Sequence, residues 1–211
     1  MTCYQSLVFE TAPDWDAVPV GTIDCFQWEA VVPFRPESYF QLCFVRGKGV
    51  FVRLWSMEEN PRAVLTRRDD PVYEDSCLEV FFQPFGEEYL NVEMNPRGVF
   101  LSQLGAGREN RVLLKTRTAR SPLVTPVSVP GGWGVELILP CDLLREAFGR
   151  PFDACAGQYR GNFYKCGDKT PVPHYGSFAP MRSLPPGFHD STCFATLILK
   201  EENDGITQKN H

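Results

Sequence analysis

Turns bearing glycine and proline punctuate this chain at intervals of roughly ten residues, and the runs between them are short and rich in Val, Phe, Tyr and Leu. Arg46-Gly47-Lys48-Gly49 separates the runs 39–45 and 50–56. Asn95-Pro96-Arg97-Gly98, with Pro second and Gly fourth, spells a type I turn between 89–95 and 99–103. Pro130-Gly131-Gly132 separates 123–129 from 133–139, and further runs cover 78–82, 158–165 and 192–199. Strands joined by turns rather than by helical crossovers predict an all-β fold, an antiparallel β-sandwich of jelly-roll or immunoglobulin-like kind. One helix interrupts the pattern: 141–148 follows Pro140, sets Leu144 and Phe148 four apart, and stops at Gly149.

The 211 residues contain no repeat, no low-complexity tract and no linker before a charged end. The expected organisation is one domain over 1–200, followed by a frayed, flexible tail over 201–211 whose charged character begins at Lys200. No apolar run approaches the roughly 18 residues of a membrane-spanning helix. A formal charge of −5 argues against nucleic acid as a partner, because phosphate binding needs a clustered positive field. Residues 1–10 have neither a basic start nor a long apolar stretch, so no secretory signal is read and the expected compartment is cytoplasmic.

The 8 cysteines, at positions 3, 25, 43, 77, 141, 155, 166 and 193, include no pair at zinc-knuckle or redox spacing. Several sit inside apolar runs, which reads as reduced, buried thiols. Cys166, Asp168, His174 and His189 are a conceivable ligand set, but Cys-x-Asp-x5-His matches no standard zinc pattern and a hydrogen-bonded structural His is the alternative. The acidic turns Asp69-Asp70 and Glu74-Asp75 carry the oxygen ligands that Ca2+ prefers. There is no nucleophile elbow, P-loop or dinucleotide fingerprint.

Residues two apart in a strand share a face. Tyr89, Asn91, Glu93 and Asn95 therefore form one stripe, and Gln158, Arg160, Asn162 and Tyr164 another. Arg53 and Trp55 share a face, while Glu79 and Glu136 interrupt apolar strands. An outer sheet face open to water is one reading. The other is a sugar site, because amides, carboxylates and guanidinium groups bond vicinal hydroxyls while aromatic rings cover the apolar faces of pyranose rings. Glu79 and Glu93 are also the pair a glycosidase would need, if held roughly 5–10 Å apart.

Two segments become recognisable together. The first runs Asp70-Pro-Val-Tyr-Glu-Asp75-Ser-Cys-Leu-Glu79-Val-Phe-Phe into Tyr89-Leu-Asn-Val-Glu93-Met-Asn95-Pro-Arg-Gly98. The second runs Gly161-Asn162-Phe-Tyr-Lys-Cys166-Gly-Asp168 into His174-Tyr-Gly-Ser-Phe178 and Phe188-His189, with Trp133-Gly-Val-Glu136-Leu-Ile-Leu-Pro140 between the two. This order, over roughly residues 20 to 200, resembles the family 9 carbohydrate-binding modules and their stand-alone bacterial relatives. The resemblance implies a β-sandwich that binds glucan- or xylan-type sugars and holds structural Ca2+. It also implies a sugar ring clamped between two tryptophans, yet here no Trp stands near Tyr73-Glu74 and the aromatic after Tyr175 is Phe178.

The expected function is non-catalytic carbohydrate binding, with Tyr73, Tyr175 and Phe178 stacking on the sugar and Glu74, Glu93, Arg160 and Asn162 bonding its hydroxyls. Two alternatives stand beside it. One is an interaction module that has lost the sugar, and the other is a glycoside hydrolase using Glu79 and Glu93.

Overall fold

The turns read from sequence close the hairpins they separate. In the computed structural model, which describes residues 2–28, 34–182 and 187–202, Lys48 N–H donates to Val45 O at 2.9 Å and joins β3 (Ser38–Val45) to β4 (Gly49–Ser56). Gly98 N–H donates to Asn95 O at 2.9 Å between β6 (Tyr89–Met94) and β7 (Phe100–Gly105). Gly98 has φ +74°, where a side chain would be strained and its Cβ would press on the Pro126 ring. The other strands are β1 (Cys3–Phe9), β2 (Gly21–Thr22), β5 (Cys77–Gln83), β8 (Val112–Leu113), β9 (Leu123–Val129), β10 (Gly132–Pro140), β11 (Gly157–Cys166), β12 (Tyr175–Ser177) and β13 (Ala195–Glu201). The helix α1 (Cys141–Phe148) ends at Gly149, φ +61°, and buries Leu143, Leu144 and Ala147.

Among the described residues thirteen strands form one curled sheet, in the order β8-β7-β6-β5-β11-β13-β1-β3-β4-β10-β9, with β12 on β11 and β2 on β3. The expectation of purely antiparallel pairing is corrected at one place. The strand β1, which has no turn signal of its own, lies parallel to both β13 and β3. It thereby joins two limbs, β8-β7-β6-β5-β11-β13 and β3-β4-β10-β9, that would otherwise be separate sheets. The tail expectation also shifts: β13 runs through Lys200 to Glu201, because it pairs with β1 to that point, and the rest of the tail lies outside the described residues beyond 202.

The inner faces of the limbs pack against each other. Leu78, Val80, Phe82, Leu90 and Val92 of one limb share a core with Phe40, Leu42, Val52, Leu54, Val135 and Leu137 of the other. Phe40 stacks on Phe163 with ring centroids 3.6 Å apart. A polar pin completes the contact. Glu58, just after β4, accepts from Trp133 Nε1 of β10 at 3.0 Å and from Ser76 Oγ at 2.8 Å, and lies 3.2 Å from Lys165 Nζ of β11. Lys165 Nζ also meets His174 Nε2 at 2.6 Å. Burial lowers the Lys165 pKa, and burial together with the neighbouring ammonium lowers that of His174 to about 4.

Candidate functional site

The outer face of the β5-β6-β7-β11 limb is where the two polar stripes meet. Strand pairing puts Glu79 opposite both Glu93 and Tyr164, Phe81 opposite both Asn91 and Asn162, and Cys166 opposite Cys77. Loops then close over part of this face. Asp168 N–H donates to Tyr73 O at 2.9 Å and Lys169 N–H to Glu74 O at 3.1 Å, which ties the 69–75 turn to the 166–175 segment. Phe188 stacks on Tyr164 at 4.1 Å, and His189 Nδ1 lies 2.9 Å from the Tyr89 hydroxyl. Between these loops a cavity of about 700 Å3 opens, within the range of about 300–1,000 Å3 usual for small-molecule sites.

Tyr73, Tyr175, Phe188 and Leu101 supply its apolar walls, with Asp168 and Arg108 beside them. Tyr73 remains 38% exposed, and Trp28 packs edge-on behind Tyr175. The polar lining includes Glu79, Glu93, Gln103 and Arg111. Arg111 is held by the carbonyls of Tyr89, Gln103, Gly105 and Gly107 and bonds Asn91 Oδ1, while its guanidinium lies over the Tyr89 ring. Asn91 Nδ2 donates in turn to Glu93 Oε1 at 2.8 Å, and Glu93 Oε2 is buried without a hydrogen-bond partner. Burial, opposed in part by Asn91 and Arg111, raises the Glu93 pKa to about 7. Burial, the Cys166 thiol and Glu93 raise Glu79 well above the usual carboxylate range. Burial and the Asp168 charge push the Tyr175 hydroxyl up to about 12.

Of the residues singled out from sequence, Tyr73, Glu93 and Tyr175 come together in this cavity. The other four lie elsewhere. Asn162 is wholly buried: its Oδ1 accepts from Phe163 N–H and Ala179 N–H, and its Nδ2 donates to Ala179 O. Arg160 is drawn off by the carbonyl of Ser191 at 2.8 Å and that of Phe194 at 3.4 Å. Phe178 packs edge-on against Phe40 and Tyr4 at the core, and Glu74 pairs with Lys169 at 2.9 Å. Two apart in a strand does share a face, but the loops decide which part of that face stays open. Gln103 and Arg111 also line the cavity: Gln103 lies in β7 opposite Asn91, so the strand period could have placed it on this face, whereas Arg111 follows β7 in a loop and reaches back across the sheet, which no strand periodicity signals.

Most carboxylates of the acidic turns are taken up by protein partners among the described residues, Glu74 by Lys169 included. The Asp75 carboxylate is wholly buried and accepts from Val64 N–H, Leu65 N–H and Asn95 Nδ2, with Arg62 Nε 3.3 Å away. Asp70 caps Arg67 N–H, and Asp69, beside Lys115 at 2.7 Å, is the one carboxylate of these turns whose oxygens are buried without a hydrogen-bond partner. Of the four candidate metal ligands, Cys166, Asp168 and His189 line the cavity, while His174 is turned away to Lys165.

Comparison with known proteins supplies the remaining context. Residues 9–199 match a family model described as carbohydrate-binding family 9. A solved structure of a protein from Bacteroides uniformis, provisionally assigned as carbohydrate-binding, superposes with a TM-score of 0.79 at 24% identity, over 94% of this chain and 99% of that one. A family 9 carbohydrate-binding module from Caldicellulosiruptor kristjanssonii in complex with cellotriose superposes at 0.63 with 11% identity, over 99% of both chains. A module of the same family and organism in complex with glucose gives 0.61 at 13%, over 96% of this chain and 99% of that one. At these identities the likeness establishes the fold. No protein of curated function matches the chain.

Proposed function

The chain belongs to carbohydrate-binding family 9, and from that premise we propose that it binds a glucan- or xylan-type saccharide without acting on it, in a β-sandwich whose two layers are the limbs. The cavity between Tyr73 and Tyr175 carries this reading. Its aromatic walls would cover the apolar faces of a pyranose ring. Gln103 and Glu93 beneath them would bond its hydroxyls, while Arg111, its donors taken by carbonyls and by Asn91, holds Asn91 and through it Glu93 in place. The glucose and cellotriose named for the Caldicellulosiruptor modules set the class of ligand to try first. Two tyrosines in place of paired tryptophans offer less stacking area, so weaker binding is expected.

The hydrolase alternative rests on Glu79 and Glu93, which are directly opposed across β5 and β6. Burial raises the pKa of both, that of Glu93 to about 7. Release of reducing sugar from cellotriose or xylotriose, lost in Glu93→Gln, would establish this alternative over binding alone.

Thermal unfolding against glucose, cellotriose and xylotriose tests the proposal. A saccharide at 100 times its Kd adds about 2.7 kcal/mol, which is roughly 5–10 °C at this chain length. Tyr73→Ala should abolish that shift while leaving the melting temperature without sugar nearly unchanged. A flat response to the whole panel would sink the reading and favour an interaction module.

A further inference from the structure

Three donor atoms converge below the cavity in a way that sugar binding does not require. Cys77 and Cys166 are directly paired across β5 and β11, and Glu79 stands next on the same face. One ligand atom from each of Cys77, Glu79 and Cys166 lies within 4.8 Å of the others, with Cys166 Sγ 2.9 Å from Glu79 Oε1. Both thiols are free and all three residues are buried. Tetrahedral zinc, with Zn–S near 2.3 Å and Zn–O near 2.0 Å, separates its donors by roughly 3.5–3.8 Å, so a small rotation of the side chains suffices.

A further carboxyl group lies beside these three without a full set of partners. The Glu93 side chain, 4% exposed, leaves Oε2 without a hydrogen-bond partner, and it lines the cavity beside Glu79. Two thiols and two carboxyl groups thus share one buried place, and no Lys, Arg or His forms a salt bridge with either glutamate among the described residues. Lys165 points to the other face, where Glu58 and His174 hold it. Arg111 is bonded to Asn91 and to carbonyls.

We propose that Cys77, Glu79 and Cys166 form a binding site for a soft divalent cation, Zn2+ by donor type, whose fourth position opens on the cavity beside Glu93. Two sulfurs with carboxylate oxygen select Zn2+ over Ca2+ or Mg2+, which take oxygen ligands. The site stands independently of the sugar reading, since neither thiol is needed for stacking or for bonding hydroxyls.

The experiment is a Co2+ titration of the reduced full-length protein, followed by absorption spectroscopy and then by displacement with Zn2+. The expected result is one equivalent bound, a thiolate-to-cobalt charge-transfer band, proton release on binding, and loss of the band on adding Zn2+ but not on adding excess Ca2+. Cys166→Ser should remove most of the charge-transfer intensity. Should that variant fail to fold, Glu79→Gln keeps both thiols and should weaken binding at least tenfold with the band retained. No charge-transfer band in protein whose thiols are shown to be free would overturn the proposal, and so would an unchanged spectrum in Cys166→Ser. A Cys77–Cys166 disulfide in the protein as isolated would also overturn it. Because the readout is cobalt absorption without sugar, its failure is distinguishable from a flat saccharide panel.

Discussion

The two limbs of the sheet turn opposite fates out of similar strands. On the β3-β4-β10 limb the outer face is only partly covered: residues 7–18 close over Gln41, Cys43 and Val45 of β3 and leave β4 and β10 half-exposed. There β4 alternates buried and half-exposed residues, Tyr39 stacks on Trp55 at 5.4 Å, and Arg53 pairs with Glu136 while lying over Trp15. On the β5-β6-β11 limb both faces are covered, and every residue of β5 and β6 is buried. Polar side chains on the half-exposed strands keep water and need no particular partner. Those on the covered face must find one, as Asn162 does on Ala179, and Glu93 Oε2 is left without one. A stripe of polar residues in a strand therefore announces a site only where loops close over it.

Substitutions can break or sharpen this contrast. The largest effect is expected where the limbs are pinned together: Glu58→Ala leaves Lys165 charged and unpaired in the interior and should cost about 3–5 kcal/mol in urea unfolding. Next comes Asn162→Ala on the covered limb, which orphans Ala179 N–H and C=O and should cost about 2–3 kcal/mol. A cost below about 0.5 kcal/mol there would mean that this face is wetter than its burial implies.

Acid should act on the covered side. His174 and His189 have folded pKa values lowered to about 4 and about 3, chiefly by burial, so the unfolded chain binds more protons than the folded one below about pH 6.5. Their contribution is present in full above pH 6.5 and is lost as pH falls towards 4 and then 3. Glu93, raised to about 7, and Glu79, raised well above the usual carboxylate range, work in the opposite sense from neutral pH down to about 4.5, so the net slope there is the difference between the histidines and these carboxyls. A His189→Gln variant should flatten the acid limb of the melting curve, and an unaltered limb would place the loss elsewhere.

The smallest effect belongs to the half-exposed strands. Arg53 and Glu136 are each about a third exposed, and their double-mutant coupling should be about 0.2–1 kcal/mol, decreasing with added salt. A coupling above about 2 kcal/mol would erase the distinction between the faces.

Local chemistry in the sequence determined the hairpins at Gly47-Lys48 and Pro96-Arg97, the helix ending at Gly149 and the alternation that puts Asn91 and Glu93 on one face. These follow from the dihedrals that Gly and Pro permit and from the two-residue period of a strand, both of which act over a few neighbours. The tertiary structure decided the rest. It inserted β1 between β13 and β3, sent Asn162 and Phe178 to the interior, brought Arg111 back across the sheet, and set Cys77 against Cys166. Each of these depends on register and loop closure between segments far apart in the chain, where many pairings satisfy the same local pattern and only packing of the whole selects one.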